Sequence, residues 1–128
     1  MNAQPGLLLF AHGARDPNWA VPFEDVARRV RVQRPGMPVA LAFLEFMAPD
    51  IVTAGNTLVA AGCTSVAVVP LFLGAGGHVR KDLPERLGRL RAAHPAVQWT
   101  LQPAAGESPR LVEALAQVAL DCLEEHAQ

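Results

Sequence analysis

The sequence predicts an α/β protein, a three-layer α/β/α sandwich built on a four-stranded parallel sheet. Three observations carry that expectation. Four short apolar runs alternate with four amphipathic stretches along the 128 residues. The runs are close to unbroken in their apolarity, as in strands covered on both faces. The stretches between them carry helix-spaced apolar stripes with start and stop signals at their ends. A β-α-β-α-β-α-β-α order implies right-handed crossovers and a parallel sheet with helices on both faces.

Gly6–Ala11 (GLLLFA) is the first strand. Trp19, Phe23, Val26 and Val30 then recur at spacings of four, three and four, one apolar helical stripe, with Pro22 in the first turn. Pro38–Phe43 (PVALAF) is the second strand. Asp50 is placed to cap a helix that ends at Gly62, with Ile51, Ala54, Leu58 and Ala61 facing inward. The valine-rich run Ser65–Leu71 is the third strand, and Leu83, Leu87 and Leu90 mark a helix from about Lys81 to Ala93. Ala96–Leu101 alternates more and reads as an edge strand. Ser108 and Pro109 make a cap and first turn for a last helix whose inner face would be Leu111, Leu115, Val118 and Cys122. With no internal repeat, linker or low-complexity tract, residues 1–128 read as a single domain.

Composition narrows the function. The chain is 51% hydrophobic and 18% charged, which suits a packed core and not disorder. A net charge of −1 gives no global attraction to nucleic acid or to an anionic membrane, so neither is expected as a partner. An anionic ligand would have to be held by a local cluster of cations. Cys63 and Cys122 form no C-x-x-C pair, which argues against a metal-thiolate site, and both read as small buried apolar residues. Met1–Pro5 lacks the features of a signal peptide and Gly6–Ala11 is far too short to span a bilayer, so the expectation is a soluble cytoplasmic protein.

Reactive side chains collect where such a sheet binds ligands, outside the carboxyl ends of its strands at the point where the strand order reverses. The first strand runs into His12 within His12-Gly13-Ala14-Arg15-Asp16-Pro17; the second ends at Phe43-Leu44-Glu45. The third leads through Phe72-Leu73 into Gly74-Ala75-Gly76-Gly77-His78, followed by Arg80, Lys81 and Asp82. With strand order 2-1-3-4 the first and third strands are neighbours, and His12 and His78 can converge. Neutral imidazoles suit iron, cobalt, nickel and zinc about equally well as ligand types. Two histidines and a carboxylate leave coordination positions open, as a site needs if metal is to enter and leave. Glu45 could be a ligand, or a base that accepts protons.

Each residue alone has a plainer reading. A histidine near a strand end is more often a hydrogen-bonded structural residue than a ligand, and Glu45 could be a solvated loop residue. The glycines at 74, 76 and 77 suit a tight turn or a phosphate cradle. It is the joint placement of His12, Glu45 and His78 that points to a site. His94 and His126 read as surface residues, and Arg28, Arg29, Arg31 and Arg34 as a solvated helix face.

These segments resemble a known family. His12-Gly13-Ala14-Arg15-Asp16-Pro17 is similar to the H-G-S-R-D-P segment of the sirohydrochlorin chelatases, the CbiX and SirB proteins. Ala42-Phe43-Leu44-Glu45 resembles that family's F-L-E, and the stretch from Val69 to Pro84 resembles its V-P-x-F-L-x-x-G-x-H-x-x-x-D-x-P. The resemblance implies a class II chelatase half-domain that inserts a divalent metal into sirohydrochlorin, cobalt ahead of ferrous iron, with nickel used by archaeal relatives, on the routes to cobalamin or sirohaem. The metal would be a substrate, with no organic cofactor. His12 and His78 match the family's two metal-site histidines and Glu45 its nearby acidic position; Ala14 stands where serine is usual. Arg15, Arg80 and Lys81 would meet the carboxylates of the tetrapyrrole, while Phe46 and Met47 could cover the ring face. Larger relatives enclose the macrocycle between two half-domains, so the resemblance implies that this chain acts as a homodimer. Two other functions fit less well: a non-catalytic metal carrier or tetrapyrrole-binding module, and a phosphoryl-transfer enzyme with His12 as nucleophile. Against the last, Ala11 stands where an R-H-G phosphatase segment has arginine.

Overall fold

A computed structural model of the chain describes residues 3–74 and 76–126, of which 78 and 124–126 are described in backbone only. The described elements are β1 (Pro5–Ala11), α1 (Val21–Gln33), β2 (Val39–Phe43), α2 (Ile51–Ala60), β3 (Ser65–Pro70), α3 (Gly77–Ala93), β4 (Gln98–Leu101) and α4 (Pro109–His126). Short 3-10 turns at Pro17–Ala20 and Ala105–Glu107 precede α1 and α4. The sheet is parallel throughout, as the alternation predicts, and its order is the expected β2-β1-β3-β4. β1 is central: Leu8 stands between Ala40 of β2 and Val68 of β3.

Strand alternation divides the sheet into two faces of unequal depth. Leu8, Phe10, Ala42, Val66, Val68 and Trp99 meet Ile51, Ala54 and Leu58 of α2 and Leu83, Leu87 and Leu90 of α3 in one continuous core. The two helices are closely seated there, since a Cβ on Gly55 of α2 would come within 2.6 Å of Leu90. The other face carries a thinner cluster of Ala11, Phe43 and Ala20, flanked by Trp19, Phe23, Leu41 and Met47 under α1.

Four helix expectations change. In α1 the buried face is carried by Ala27, 1% exposed, while Val26 is 38% exposed. Trp19 lies in the 3-10 turn, so a period of 3.6 residues cannot be counted through it into the helix. In α2, Ala61 is exposed: Gly62 at φ +96° swings the chain over, and Cys63 takes the buried position beyond it. α3 begins at Gly77, not near Lys81. Extended Gly76 is its N-cap, and the Arg80 N–H closes the first turn on the Gly76 carbonyl at 3.0 Å. Buried Val79 thereby joins Leu83, Leu87 and Leu90 in one stripe, and Pro84 sits inside the helix, where it can offer no N–H to the Arg80 carbonyl.

The largest change is at α4. Leu115, Val118 and Cys122, expected inside, are all exposed, as is every other side chain from 112 to 123. The helix leaves the body at the Ala105–Glu107 turn and does not cover the sheet. Of the two cysteines, only Cys63 is buried; the apolar pocket around it raises its thiol pKa. Among the described residues no helix is long and apolar enough to cross a membrane.

Two outcomes follow for stability. Leu87→Ala empties a fully buried position and should lower the unfolding free energy in urea by about 2–5 kcal/mol, while exposed Val32→Ala should stay within about 0.5 kcal/mol. Asp50 caps α2 by accepting the Thr53 N–H at 2.8 Å, and that bond holds its carboxyl below the usual carboxylate range. A lowered folded pKa stabilises above the ordinary carboxylate value and is lost as pH falls through the folded value. Asp50→Ala should therefore cost about 1 kcal/mol near neutral pH, with the gap closing as pH falls below the ordinary carboxylate range and Asp50 becomes protonated in the folded chain.

Candidate metal and substrate site

The site begins where β1 ends. Beyond Ala11 the backbone keeps pairing with the segment after β2: the Leu44 N–H donates to the Ala11 carbonyl at 3.0 Å, and the Glu45 N–H to the His12 carbonyl at 3.2 Å. These two bonds set His12 beside Glu45. Gly13 makes this possible. At φ +94° it lies flat against Glu45, and any Cβ there would collide with the Glu45 carbonyl oxygen.

His12 Nδ1 and Glu45 Oε1 stand 3.7 Å apart, with both side chains roughly half exposed at 48% and 45%. That is too long for a hydrogen bond. The imidazole meets the Phe72 ring edge-on at 6.0 Å, and Phe72 in turn packs on Phe10 at 5.8 Å. His12 opens onto a cavity of about 460 Å³ walled by Trp19, Phe23, Phe72, Leu73 and Val79. Trp19 and Phe23 stack at 4.6 Å and form one side of it. The cavity is therefore apolar, with a potential donor pair at its edge.

The Glu45 loop is pinned from three directions. The Phe43 N–H closes it on the Pro49 carbonyl at 2.9 Å, and Arg86 of α3 donates to the Leu44 carbonyl at 3.1 Å. Phe46 turns left-handed at φ +67°, an uncommon conformation for a bulky residue. Its exposed ring lies under the Arg15 guanidinium, 4.8 Å from the ring centroid, a cation–π contact that holds both at the outer rim.

The expected residues thus divide. His12, Glu45 and Arg15 come together on one rim. The His78 side chain lies outside the described residues; its backbone is in the first turn of α3, between Gly76 and Val79, which both line the His12 cavity. Arg80 lines an adjoining cleft of about 370 Å³ with Phe72, Val79 and Glu107, and Lys81 is exposed on α3. Met47 packs into the cluster under α1 and not over the cavity. His94, expected at the surface, is half-buried with its Nε2 2.7 Å from Asn56 Oδ1, tying α3 to α2. The His126 side chain lies outside the described residues. Among the described residues no three His, Cys, Asp or Glu side chains gather around one point, which leaves His12 and Glu45 as a pair. Sequence reasoning missed Arg86 and the Trp19–Phe23 wall: Arg86 carries no local signal, and the two aromatics read simply as helix core.

The sequence profile of the CbiX family matches residues 6–122. The chain belongs to the CbiX family. It is 37% identical over 83 residues to a sirohydrochlorin cobaltochelatase of Methanothermobacter thermautotrophicus, a match that covers 65% of this chain and 57% of that protein. The chain therefore spans little more than half the length of that relative. A crystal structure of a CbiX protein from Marinobacter aquaeolei VT8 superposes with a TM-score of 0.82 at 36% identity, covering 94% of this chain and 98% of the other. The sirohydrochlorin chelatase SirB from Bacillus subtilis subspecies spizizenii, in complex with cobalt, superposes at 0.71 and 26% identity over 78% of this chain and 43% of SirB.

The Gly13 contact can be measured against an open control. Gly36 is also left-handed, at φ +88°, but a Cβ added there would meet nothing within 4 Å. Gly36→Ala should cost about 1–2 kcal/mol of backbone strain alone. Gly13→Ala should cost clearly more in the same denaturation experiment, and the excess reports the close approach to Glu45.

Proposed function

We propose that the chain is a sirohydrochlorin chelatase that inserts a divalent metal, cobalt ahead of iron, into the tetrapyrrole of cobalamin or sirohaem biosynthesis. The observation that carries this reading is the His12–Glu45 pair at the edge of an apolar cavity, in a chain of the CbiX family. Two donors each about 2.1 Å from one ion at a tetrahedral angle stand about 3.4 Å apart. The 3.7 Å between His12 Nδ1 and Glu45 Oε1 is close to that separation, so an ion could join them with little movement. His78, on the turn between Gly76 and Val79, is the third donor in this reading. Three protein donors leave positions open through which the ring nitrogens can take the ion over.

The exchange balances simply. The ring's two pyrrole N–H bonds break, metal–nitrogen bonds form, and two protons leave for the one divalent ion that enters. As the metal departs, the Glu45 carboxylate is free to accept one proton and a histidine the other. Phe72, Trp19 and Phe23 offer an apolar wall for the macrocycle. Arg15, held over Phe46, faces the mouth where the substrate's carboxylates would lie, and the uncapped N-terminus of α3 adds partial positive charge nearby. Arg80 and Lys81 are further cations for the ring's outer carboxylates. Cobalt is placed first because the Methanothermobacter relative is a cobaltochelatase and the SirB structure holds cobalt.

The test is the absorption spectrum of sirohydrochlorin mixed anaerobically with Co²⁺ or Fe²⁺. Wild type should metallate the ring faster than the protein-free mixture, and His12→Ala and Glu45→Gln should each lose about 10-fold or more in rate. Arg15→Ala and Phe46→Ala should raise KM several-fold with a smaller effect on kcat, the sign of lost ground-state binding. If wild type binds the ring yet never exceeds the protein-free rate, the chelatase reading fails and a metal or tetrapyrrole carrier replaces it.

A further inference from the structure

We propose that Arg86 is a positioning residue for Glu45, holding it at the distance from His12 at which both can bind one ion. The role rests on the reading of His12 and Glu45 as metal donors. The two side chains do not bond to one another: they stand 3.7 Å apart and are roughly half exposed. What sets their spacing is the peptide unit between Leu44 and Glu45. Its N–H donates to the His12 carbonyl at 3.2 Å, and its C=O accepts from Arg86 Nη1 at 3.1 Å. A trans peptide is planar and sends its N–H and C=O in opposite directions. The unit is therefore held from both sides, by the end of β1 on one and by α3 on the other. It cannot turn or shift without breaking a bond, and the Glu45 Cα lies at its edge.

Three other bonds of this segment, Phe43 to Pro49, Leu44 to Ala11 and Glu45 to His12, run main chain to main chain. Arg86 supplies its bond from a side chain, so a substitution can remove that bond alone. Arg86 is half-buried in a cleft of about 290 Å³ between the start of α2 and α3, where Asp50, Asp82 and Glu85 offset its charge. Its planar guanidinium presents donors in a fixed geometry that a flexible ammonium lacks. Leu44 is 6% exposed, so without Arg86 its carbonyl would lose a partner where water has little access. The 3.2 Å bond to His12 would then hold the peptide unit by itself. Arg89 provides the contrast: it lines the same cleft one turn further on, but bonds to Glu85 of its own helix at 3.4 Å.

Positioning of this kind acts on the metal before any ring is present. Groups that orient ligands from behind are worth about 10–100-fold in metal affinity. With the Leu44–Glu45 peptide free to move, the carboxylate samples positions from which it cannot share an ion with His12, and fewer donors hold the ion. Loss of Arg86 therefore weakens metal binding through Glu45. Where residue 45 offers no carboxylate, Arg86 has nothing to position.

Co²⁺ alone is titrated into the full chain, and bound cobalt is followed by its visible absorption. Arg86→Met should weaken binding about 10-fold, Arg86→Lys should recover most of that loss, and Arg89→Met should stay within about two-fold of wild type. A double-mutant cycle decides how Arg86 acts: in a Glu45→Gln background, Arg86→Met should have no further effect. A merely structural contribution would cost the same factor in both backgrounds. If Arg86→Met does not fold, Arg86→Gln, which keeps a polar head in the cleft, takes its place in the cycle. Arg86→Met binding as tightly as wild type would overturn the proposal, and so would an equal loss with and without the Glu45 carboxylate. Glu45→Gln binding as tightly as wild type would also overturn it, by removing the donor that Arg86 positions. Metallation of sirohydrochlorin separates this role from the chelatase reading. Equal acceleration and equal Co²⁺ affinity in wild type and Arg86→Met leave the chelatase standing without the positioning role; an intact cycle with no acceleration does the reverse.

Discussion

Two backbone hydrogen bonds beyond the end of the sheet govern the rest of this molecule. Leu44 to Ala11 and Glu45 to His12 keep the chain that follows β2 bonded to the end of β1. A parallel pair normally diverges there, as each strand turns off toward its own helix. The bonding survives because residue 13 has no side chain and can lie against the Glu45 carbonyl. From that contact come the 3.7 Å spacing of His12 and Glu45, the tight loop that presents Phe46, and the seat of Arg15 above it. His12 and Glu45 are placed by the main chain, while Arg15 and Phe46 also hold one another through their cation–π contact.

That placement rests on the unequal faces of the sheet. The deep side, with α2 and α3 against β1 and β3, buries the largest apolar side chains and anchors the strands that lead to His12 and to Phe72. The shallow side is where the aromatic wall forms, since Trp19 and Phe23 sit at the margin of a thin cluster and stay partly open. A core equally thick on both sides would close over His12. The cavity exists because α1 covers only part of its face.

How much of this was legible follows from which forces are local. The four strands could be read because apolar runs are strong signals, and the order 2-1-3-4 taken for them made the first and third strands neighbours, as they are. The start of α3 could not, since Gly76, Gly77 and His78 carry no helix periodicity and the first turn is fixed by the burial of Val79. The stripe on α4 was legible as a stripe, but its spacing says only that the helix needs an apolar partner, not where that partner stands. Its direction depends on Gly106 pressing against Leu73, a contact between segments more than 30 residues apart. The bond from Arg86 to Leu44 spans 42 residues and left no trace in the pattern of either segment.

That last bond makes α3 a strut. The helix bears His78 in its first turn and, two turns later, grips the loop that carries Glu45 through the Arg86 guanidinium. The two banks of the cleft are therefore fastened to a single rod. Because the same loop is bonded to Ala11 and His12, the rod also braces the end of β1, and three separate segments of the chain share one rigid frame.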